Sequence, residues 1–248
     1  MSTRVAPGGL SAAGSATGAG LRDRVTAHLA QRILSRTYRE GEAIPTEGEL
    51  TTELNVSRTV LREAVRTLAA KGLLETRQKA GTLVPKRERW HLLDPDVLAW
   101  MGTVPPDASF VRDLTEARRV IEPAAAELAA RNSSGYDLSL IEAAYAEMRA
   151  SAADDMDASI EADVRFHRAL LRASGNIIFT NLGDAVAAAL RSAFRMTTTA
   201  SENYARTLDA HGEVIDAIRL RDAPLARARV EALIDIASAD LSHIARTR

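Results

Sequence analysis

Apolar and polar positions alternate along this chain in two different rhythms. From Leu21 to Leu34, Val25, Leu29, Ile33 and Leu34 fall at helix-compatible intervals, predicting a first amphipathic helix. Pro45 and Thr46, with Glu49 three residues after the threonine, form a capping box that starts a short second helix. It ends near Leu54, where Asn55 and Val56 break the pattern. Ser57 caps a third helix, RTVLREAVRTLAAKG, closed by Gly72. Val60, Leu61, Ala64, Val65, Leu68 and Ala69 make its expected buried stripe, leaving Arg58, Thr59, Arg62 and Arg66 mostly on the other face. Leu73, Leu74, Thr76 and then Leu83, Val84 read as two short strands around the basic turn Arg77 to Gly81. From Ser109 onward the rhythm is helical throughout, predicting helices over 110–131, 137–152, 157–173, 176–200, 203–219 and 223–245, separated by Pro, Gly, Asn and Ser signals.

The fold class that follows is mainly α: an N-terminal winged helix-turn-helix domain over 21–88 and a C-terminal all-α antiparallel helical bundle over 109–248. The intervening 89–108 is expected to be a linker, too apolar for a free tether, whose Trp90 and Trp100 dock onto one or both domains. Residues 1–20, rich in Gly, Ala and Ser, are expected to be a disordered tail.

Charge is divided between the halves. Leu21 to Trp90 holds 14 Lys and Arg against 9 Asp and Glu, whereas His91 to Arg248 holds 17 against 24, although the whole chain is nearly neutral at -1. A basic half carrying a capped helix pair and a basic hairpin points to double-stranded DNA. Arginine forks and helix N-terminal amides suit guanine edges and phosphates in a major groove wide enough for one helix. Ser57, Arg58, Thr59, Arg62 and Arg66 are the candidates there, with Arg77, Lys79 and Gly81 along the backbone or minor groove. One helix in one groove reads few bases, so a homodimer on a pseudo-palindromic operator is expected. The chain contains no cysteine, which excludes disulfides and thiolate metal sites, and no stretch has the length and apolarity to span a bilayer. A cytoplasmic location is the expectation.

Four polar residues of the second half are candidates for ligand chemistry. Asp163 and His167 lie four apart on one helix face. His211 opens a face continued by Val214, Ile215 and Ile218, and Arg118 falls at core-facing intervals, where a guanidinium needs an anionic partner. Taken singly, these fit a surface ion pair, a core histidine and an internal salt bridge to a glutamate. Together, two histidines and a carboxylate make a facial set for a divalent metal such as zinc, beside an arginine suited to a carboxylate effector. A metal-dependent hydrolase is the rival reading, but no general base stands beside these groups in the pattern and the DNA reader would be unexplained. No catalytic residue is assigned.

The pieces P-[ST]-E-x-E-L and V-S-R-T-x-L-R-E-A resemble the winged helix-turn-helix of the GntR family of bacterial regulators. The resemblance implies that Ser57, Arg58, Thr59 and Arg62 contact operator DNA and that Gly81 is the wing glycine. Gly48 departs from an arginine found in several relatives, and Lys79 from a glycine. R-x-x-[IL]-E-P, D-x-x-F-H-x-x-[LI]-x-x-A-S-x-N and H-x-x-[IV]-x-x-A-I-x-x-x-D, spanning Arg118 to Asp222, resemble the FCD ligand-sensing domain of the FadR subfamily. That resemblance implies Asp163, His167 and His211 as metal ligands, with Leu233 at the place of a fourth, a histidine. L-D-x-D-V-L-x-W after the wing, E-A-D-x-R-[FY]-H and the missing histidine are most similar to members that answer to galactonate. This implies a sugar-acid or similar hydroxy-carboxylate effector that releases the protein from DNA; lactate, a dicarboxylate or metal alone are the alternatives. Coupling between effector and DNA is expected in residues 90–101.

Overall fold

The computed structural model describes residues 18–78, 81–151, 155–197 and 201–247, and the expected tail lies almost wholly outside them. The chain divides into two compact units, 1–105 and 106–248.

In the first unit, α1 (Gly18–Leu34), α2 (Glu47–Leu54) and α3 (Arg58–Ala70) precede a hairpin of β1 (Glu75–Arg77) and β2 (Gly81–Leu83). The start of α2 is fixed as the sequence dictates: Glu49 N–H donates to Thr46 Oγ1, and Thr46 N–H donates to Glu49 Oε2 at 2.7 Å. Asn55 closes α2 in the left-handed region at φ 52°. Ser57 Oγ accepts the Val60 amide and caps α3. Leu61, Ala64 and Leu68 of α3 are buried with Val25, Leu29 and Ile33 of α1 and Leu50 and Leu54 of α2. Three positions expected in that stripe lie further out: Val60 and Val65 are half-buried and Ala69 is exposed. The core is reached from one side only, so the stripe narrows to residues spaced three, four and seven apart.

Gly72 turns the chain out of α3 at φ +73°, and a β-carbon there would stand 2.1 Å from the Arg89 carbonyl oxygen. Glycine is required both by the backbone conformation and by the close passage of the segment that follows the wing. β1 and β2 pair antiparallel with Thr76 opposite Thr82 and Arg77 opposite Gly81. β1 starts two residues later than the alternation suggests, because Leu73 and Leu74 turn inward to the core, and β2 starts two residues earlier, at Gly81, so that Arg77 and Gly81 are strand rather than turn.

Most of the segment expected as a linker lies inside this unit. Trp90 is buried, its indole N–H donating to the Pro85 carbonyl at 3.0 Å. Asp94 caps α4 (Pro95–Met101), with Pro95 in the first turn, and α4 packs on α1 through Val97, Leu98 and Met101. Lys71 at the end of α3 reaches Asp94 at 2.7 Å and Asp96 at 2.8 Å.

The second unit is a helical bundle: α5 (Ala108–Asn132), α6 (Gly135–Ser151), α7 (Met156–Ala173), α8 (Ile177–Asn181), α9 (Gly183–Thr197), α10 (Ser201–Arg219) and α11 (Ala223–Thr247). The single helix expected over 176–200 is two. The break falls at Leu182, next to Gly183, which intrinsically disfavours a helix interior and here lets the Arg168 side chain lie 3.4 Å from where its β-carbon would be. Alanines at 126, 129, 130, 162, 173, 210, 217 and 226 line the core and let α5, α7, α10 and α11 approach closely around Phe166, Ile141, Met148, Leu170 and Ile218. Each large side chain buried this way contributes about 1.5–3 kcal/mol. No helix of the described residues is long and apolar enough to cross a membrane.

Candidate functional site

The buried face of the bundle is interrupted by one polar cluster drawn from three helices. Arg118 and Glu122 sit one turn apart on α5, Asp163 and His167 one turn apart on α7, and His211 on α10, all at most 4% exposed. Each pair is fixed by helical periodicity, since residues four apart project the same way. The packing of α5 on α7 and of α10 on α5 brings the pairs together.

Glu122 was not among the groups singled out from the sequence, and it organises the cluster. Its Oε1 accepts the Arg118 Nε–H at 2.5 Å, and its Oε2 lies 2.7 Å from His167 Nδ1. Burial by itself would raise the Glu122 carboxyl; the charge of Arg118, followed by that of His167, outweighs burial and brings it down to about 2. The anionic partner that an inward Arg118 requires is therefore supplied from its own helix. The guanidinium also touches the metal-type donors, with Nη2 3.4 Å from His167 Nε2.

Asp163, His167 and His211 converge, their ligand atoms all lying within 4.8 Å of one another. His211 Nδ1 is 2.7 Å from the Thr207 carbonyl oxygen, which only accepts, so Nδ1 donates there and Nε2 is turned toward Asp163 Oδ1 at 2.9 Å. That short contact is not aligned as a hydrogen bond, and neither is the approach of His167 Nδ1 to Glu122, so both ring nitrogens are buried without a hydrogen-bond partner. Two facing acceptors at this separation call for a cation, either a proton or a metal ion. The donor set fits the second: a carboxylate oxygen and two imidazole nitrogens, with the His211 ring steadied on its far side by the Thr207 carbonyl and the Glu122 carboxylate close to the far side of His167. Asp163 is held below its ordinary value; burial opposes this, while the charge of His167, the contact from His211 and the charge of Arg118 prevail. Phe166 packs edge-on against both imidazoles, 5.5 Å and 4.7 Å between centroids, and restricts their rotation. Leu233 is 2% exposed and belongs to the same apolar cluster as Phe166, so it offers no donor.

The first unit carries a separate surface. Arg58 and Thr59 stand exposed in the first turn of α3, with Arg62 and Arg66 following at helical spacing on exposed positions. Ser57 contributes its hydroxyl oxygen to the cap, leaving the hydroxyl proton free to donate. Arg66 Nη1 pairs with Glu63 at 2.7 Å and Arg62 Nε with Glu47 at 2.9 Å. On the hairpin, Arg77 shares Glu75 with Arg89. Gly81 enters β2 at φ +79°, a conformation that favours glycine. Lys79 lies outside the described residues. None of the carboxylate partners Glu47, Glu63 and Glu75 was foreseen; Glu63 is legible as an i,i+3 neighbour, whereas Glu47 is fifteen residues from Arg62.

Comparison with known proteins accounts for both units. Residues 21–84 match the model of the bacterial regulatory proteins of the gntR family, and residues 113–235 match the FCD domain. The galactonate operon transcriptional repressor of Escherichia coli (strain K12) is 36% identical over 205 residues, covering 82% of this chain and 89% of that protein. The HTH-type transcriptional repressor NanR of Citrobacter rodentium (strain ICC168) is 30% identical over 231 residues, covering 88% and 84%. The Uxu operon transcriptional regulator of Escherichia coli (strain K12) is 30% identical over 200 residues, covering 78% and 70%. Among solved structures, that of Lar, which controls the expression of the Listeria monocytogenes agr system, aligns with a TM-score of 0.66 at 20% identity over 90% of this chain and 97% of that one, a likeness of fold. A regulator rather than an enzyme is what the capped recognition helix, the basic hairpin and these relatives describe, and the chain belongs to the gntR family of bacterial regulatory proteins, with an FCD domain as its second half.

Proposed function

We propose that the protein is a homodimeric, cytoplasmic repressor of a sugar-acid catabolic operon, released from its operator when a hydroxy-carboxylate such as an aldonate enters the helical unit. The observation that carries the reading is the buried cluster itself: a guanidinium tied to one carboxylate, beside two imidazoles and a second carboxylate with the donors for a divalent metal, inside an apolar bundle, suits a small anion with several hydroxyls. The 36% identity to a galactonate operon transcriptional repressor supports repression as the mode of regulation and a sugar acid as the effector class.

Asp163, His167 and His211 would hold a divalent metal such as zinc, and Leu233 leaves the fourth protein position without a donor. Bound there, the metal would supply a Lewis-acidic centre for effector oxygens. Arg118 orients an incoming carboxylate while Glu122 keeps its guanidinium in place. Release follows only if the effector favours the arrangement that does not bind DNA, since equal affinity for both arrangements shifts nothing.

Thermal melting against galactonate, other aldonates, lactate and dicarboxylates, each with and without chelator, tests this. A ligand of the native state raises the midpoint. An aldonate-specific shift that also lowers operator affinity supports the reading. A shift with lactate or a dicarboxylate alone moves the effector to that class, and a shift with metal alone makes the protein a metal sensor.

A further inference from the structure

The charges of α2 are unusual for a helix that stands beside a DNA reader. Its eight residues include three glutamates and no lysine or arginine. Two of the three have evident structural work: Glu49 completes the capping box with Thr46, and Glu53 pairs with Arg32 of α1 at 2.5 Å. The third, Glu47, reaches across to the recognition helix, its Oε2 accepting Arg62 Nε–H at 2.9 Å. Its other oxygen, Oε1, is shielded from solvent and has no hydrogen-bond partner. A carboxylate beside a phosphate backbone repels it, so this glutamate carries a cost in general DNA affinity.

The atoms used by the pair matter. Arg62 is held through Nε, which leaves its two terminal Nη groups at the outer end of the fork. Those are the donors that pair side by side with O6 and N7 of a guanine in the major groove. Arg66, by contrast, is engaged through a terminal nitrogen by Glu63 on its own helix, and the hydroxyls of Thr51 and Thr52 turn inward to the Gly48 carbonyl at 3.0 and 2.9 Å. Gly48 itself places nothing in the open space before it. Both threonine hydroxyls donate their proton to that carbonyl, and the start of α2 carries no cation, so the burden of base discrimination at this edge of the reader falls on Arg62.

We infer that Glu47 is a specificity-determining positioning residue: it gives up general affinity for DNA in order to hold the Arg62 fork on one guanine of the operator.

The test is selection of bound sequences from a random-sequence duplex library with the wild-type protein and with Glu47→Ala, Glu47→Gln, Glu47→Asp and Arg62→Lys. Binding of each to a single unrelated duplex is measured in parallel. Glu47→Ala is expected to lose about tenfold of the discrimination for guanine at one position of the preferred site, the worth of a bidentate contact, while binding the unrelated duplex more tightly. Arg62→Lys loses discrimination at the same position. Glu47→Gln keeps an oxygen acceptor for Nε–H without the charge, so it retains the guanine preference and still gains on unrelated DNA. Glu47→Asp withdraws the acceptor but keeps the charge, losing the preference without that gain, and it carries the test should Glu47→Ala melt at too low a temperature. Unchanged preferences in Glu47→Ala and Glu47→Asp, or an equal loss at every position of the site, overturn the inference.

Discussion

Glu122 Oε2 stands 2.7 Å from His167 Nδ1, joining α5 to α7 inside the bundle. The same carboxylate holds Arg118, so one fully buried anion serves two partners. Replacing it by alanine leaves a guanidinium in the interior without the carboxylate that pairs with it directly. Removing one member of a buried pair costs about 3–5 kcal/mol, so Glu122→Ala is expected to lower the melting temperature sharply. Thermal denaturation with no effector present checks this. A melting point within a degree or two of wild type would mean that water reaches Arg118.

Arg118 has a double attachment, and the two parts are separable. Lysine keeps the charge beside Glu122 but offers a point rather than a planar fork. Arg118→Lys is expected to fold, to bind operator with wild-type affinity, and to need at least about tenfold more effector for release, the scale of one charge-assisted contact. Operator binding titrated with the effector gives the measurement, and an unchanged midpoint for release would make Arg118 purely structural.

Much of this cluster was legible. The demand for an anion near Arg118 follows from an arginine at core-facing spacing, and its supplier is in the next turn, within the same R-x-x-I-E-P piece. Asp163 and His167 share a face by periodicity alone. What the sequence does not carry is the third dimension. That Thr207 fixes the His211 ring through its backbone carbonyl depends on the ring's rotamer, and that Glu47 serves Arg62 depends on how α2 crosses α3. The break of the expected 176–200 helix at Leu182 was signalled only by Gly183. The half-exposure of Val60 and Val65 reflects the side from which α1 approaches α3.

Leu233 stands where the family resemblance places a fourth ligand, and it belongs to the same buried apolar cluster as Phe166, which packs against the histidines. Leu233→His is expected to complete a tetrahedral donor set. Zinc binding, followed by isothermal titration with a competing chelator, should tighten by at least about tenfold, the usual weight of a supporting interaction at a metal site. Effector response should weaken in parallel, because the position that effector oxygens would use is filled. Tighter zinc binding with an unchanged response would place the effector away from the metal.

Arg58 opens α3 on its exposed face with no described partner, unlike Arg62, Arg66 and Arg77. On DNA its guanidinium would not first have to break an ion pair. Arg58→Ala should weaken operator binding by about 1–3 kcal/mol with no change in melting temperature. Fluorescence anisotropy with a labelled operator duplex reads the loss. Arg66→Ala should cost less, since its guanidinium is already engaged by Glu63 and would have to give up that pair to reach DNA, and its effect should fade as salt is raised. The assignment of the reader fails if Arg58→Ala binds normally.

The clamp between Lys71 and Asp94 ties the end of α3 to the start of α4 and has a defined pH window. Asp94 is partly sheltered, which alone would raise its carboxyl, but the hydrogen bond from Lys71 and the amides of Val97 and Asp96 bring it below its ordinary 3.8. A carboxylate whose folded value is depressed contributes stability above its unfolded value and loses it as pH falls through the folded one. Lys71 goes the other way: shelter would lower it, yet hydrogen bonds to Asp94 and Asp96 raise it above 10.5. Its contribution is present below that value and lost as pH rises past it. The clamp is therefore whole between about pH 4 and 10 and dissolves at both ends. Asp94→Asn separates the clamp from the cap, because asparagine still accepts the two amides at the start of α4. That variant is expected to melt a few degrees lower at neutral pH and to show a flatter decline between pH 5 and 3 than wild type. An acid limb identical to wild type would mean that other carboxylates govern the loss and that the clamp adds nothing to the fold.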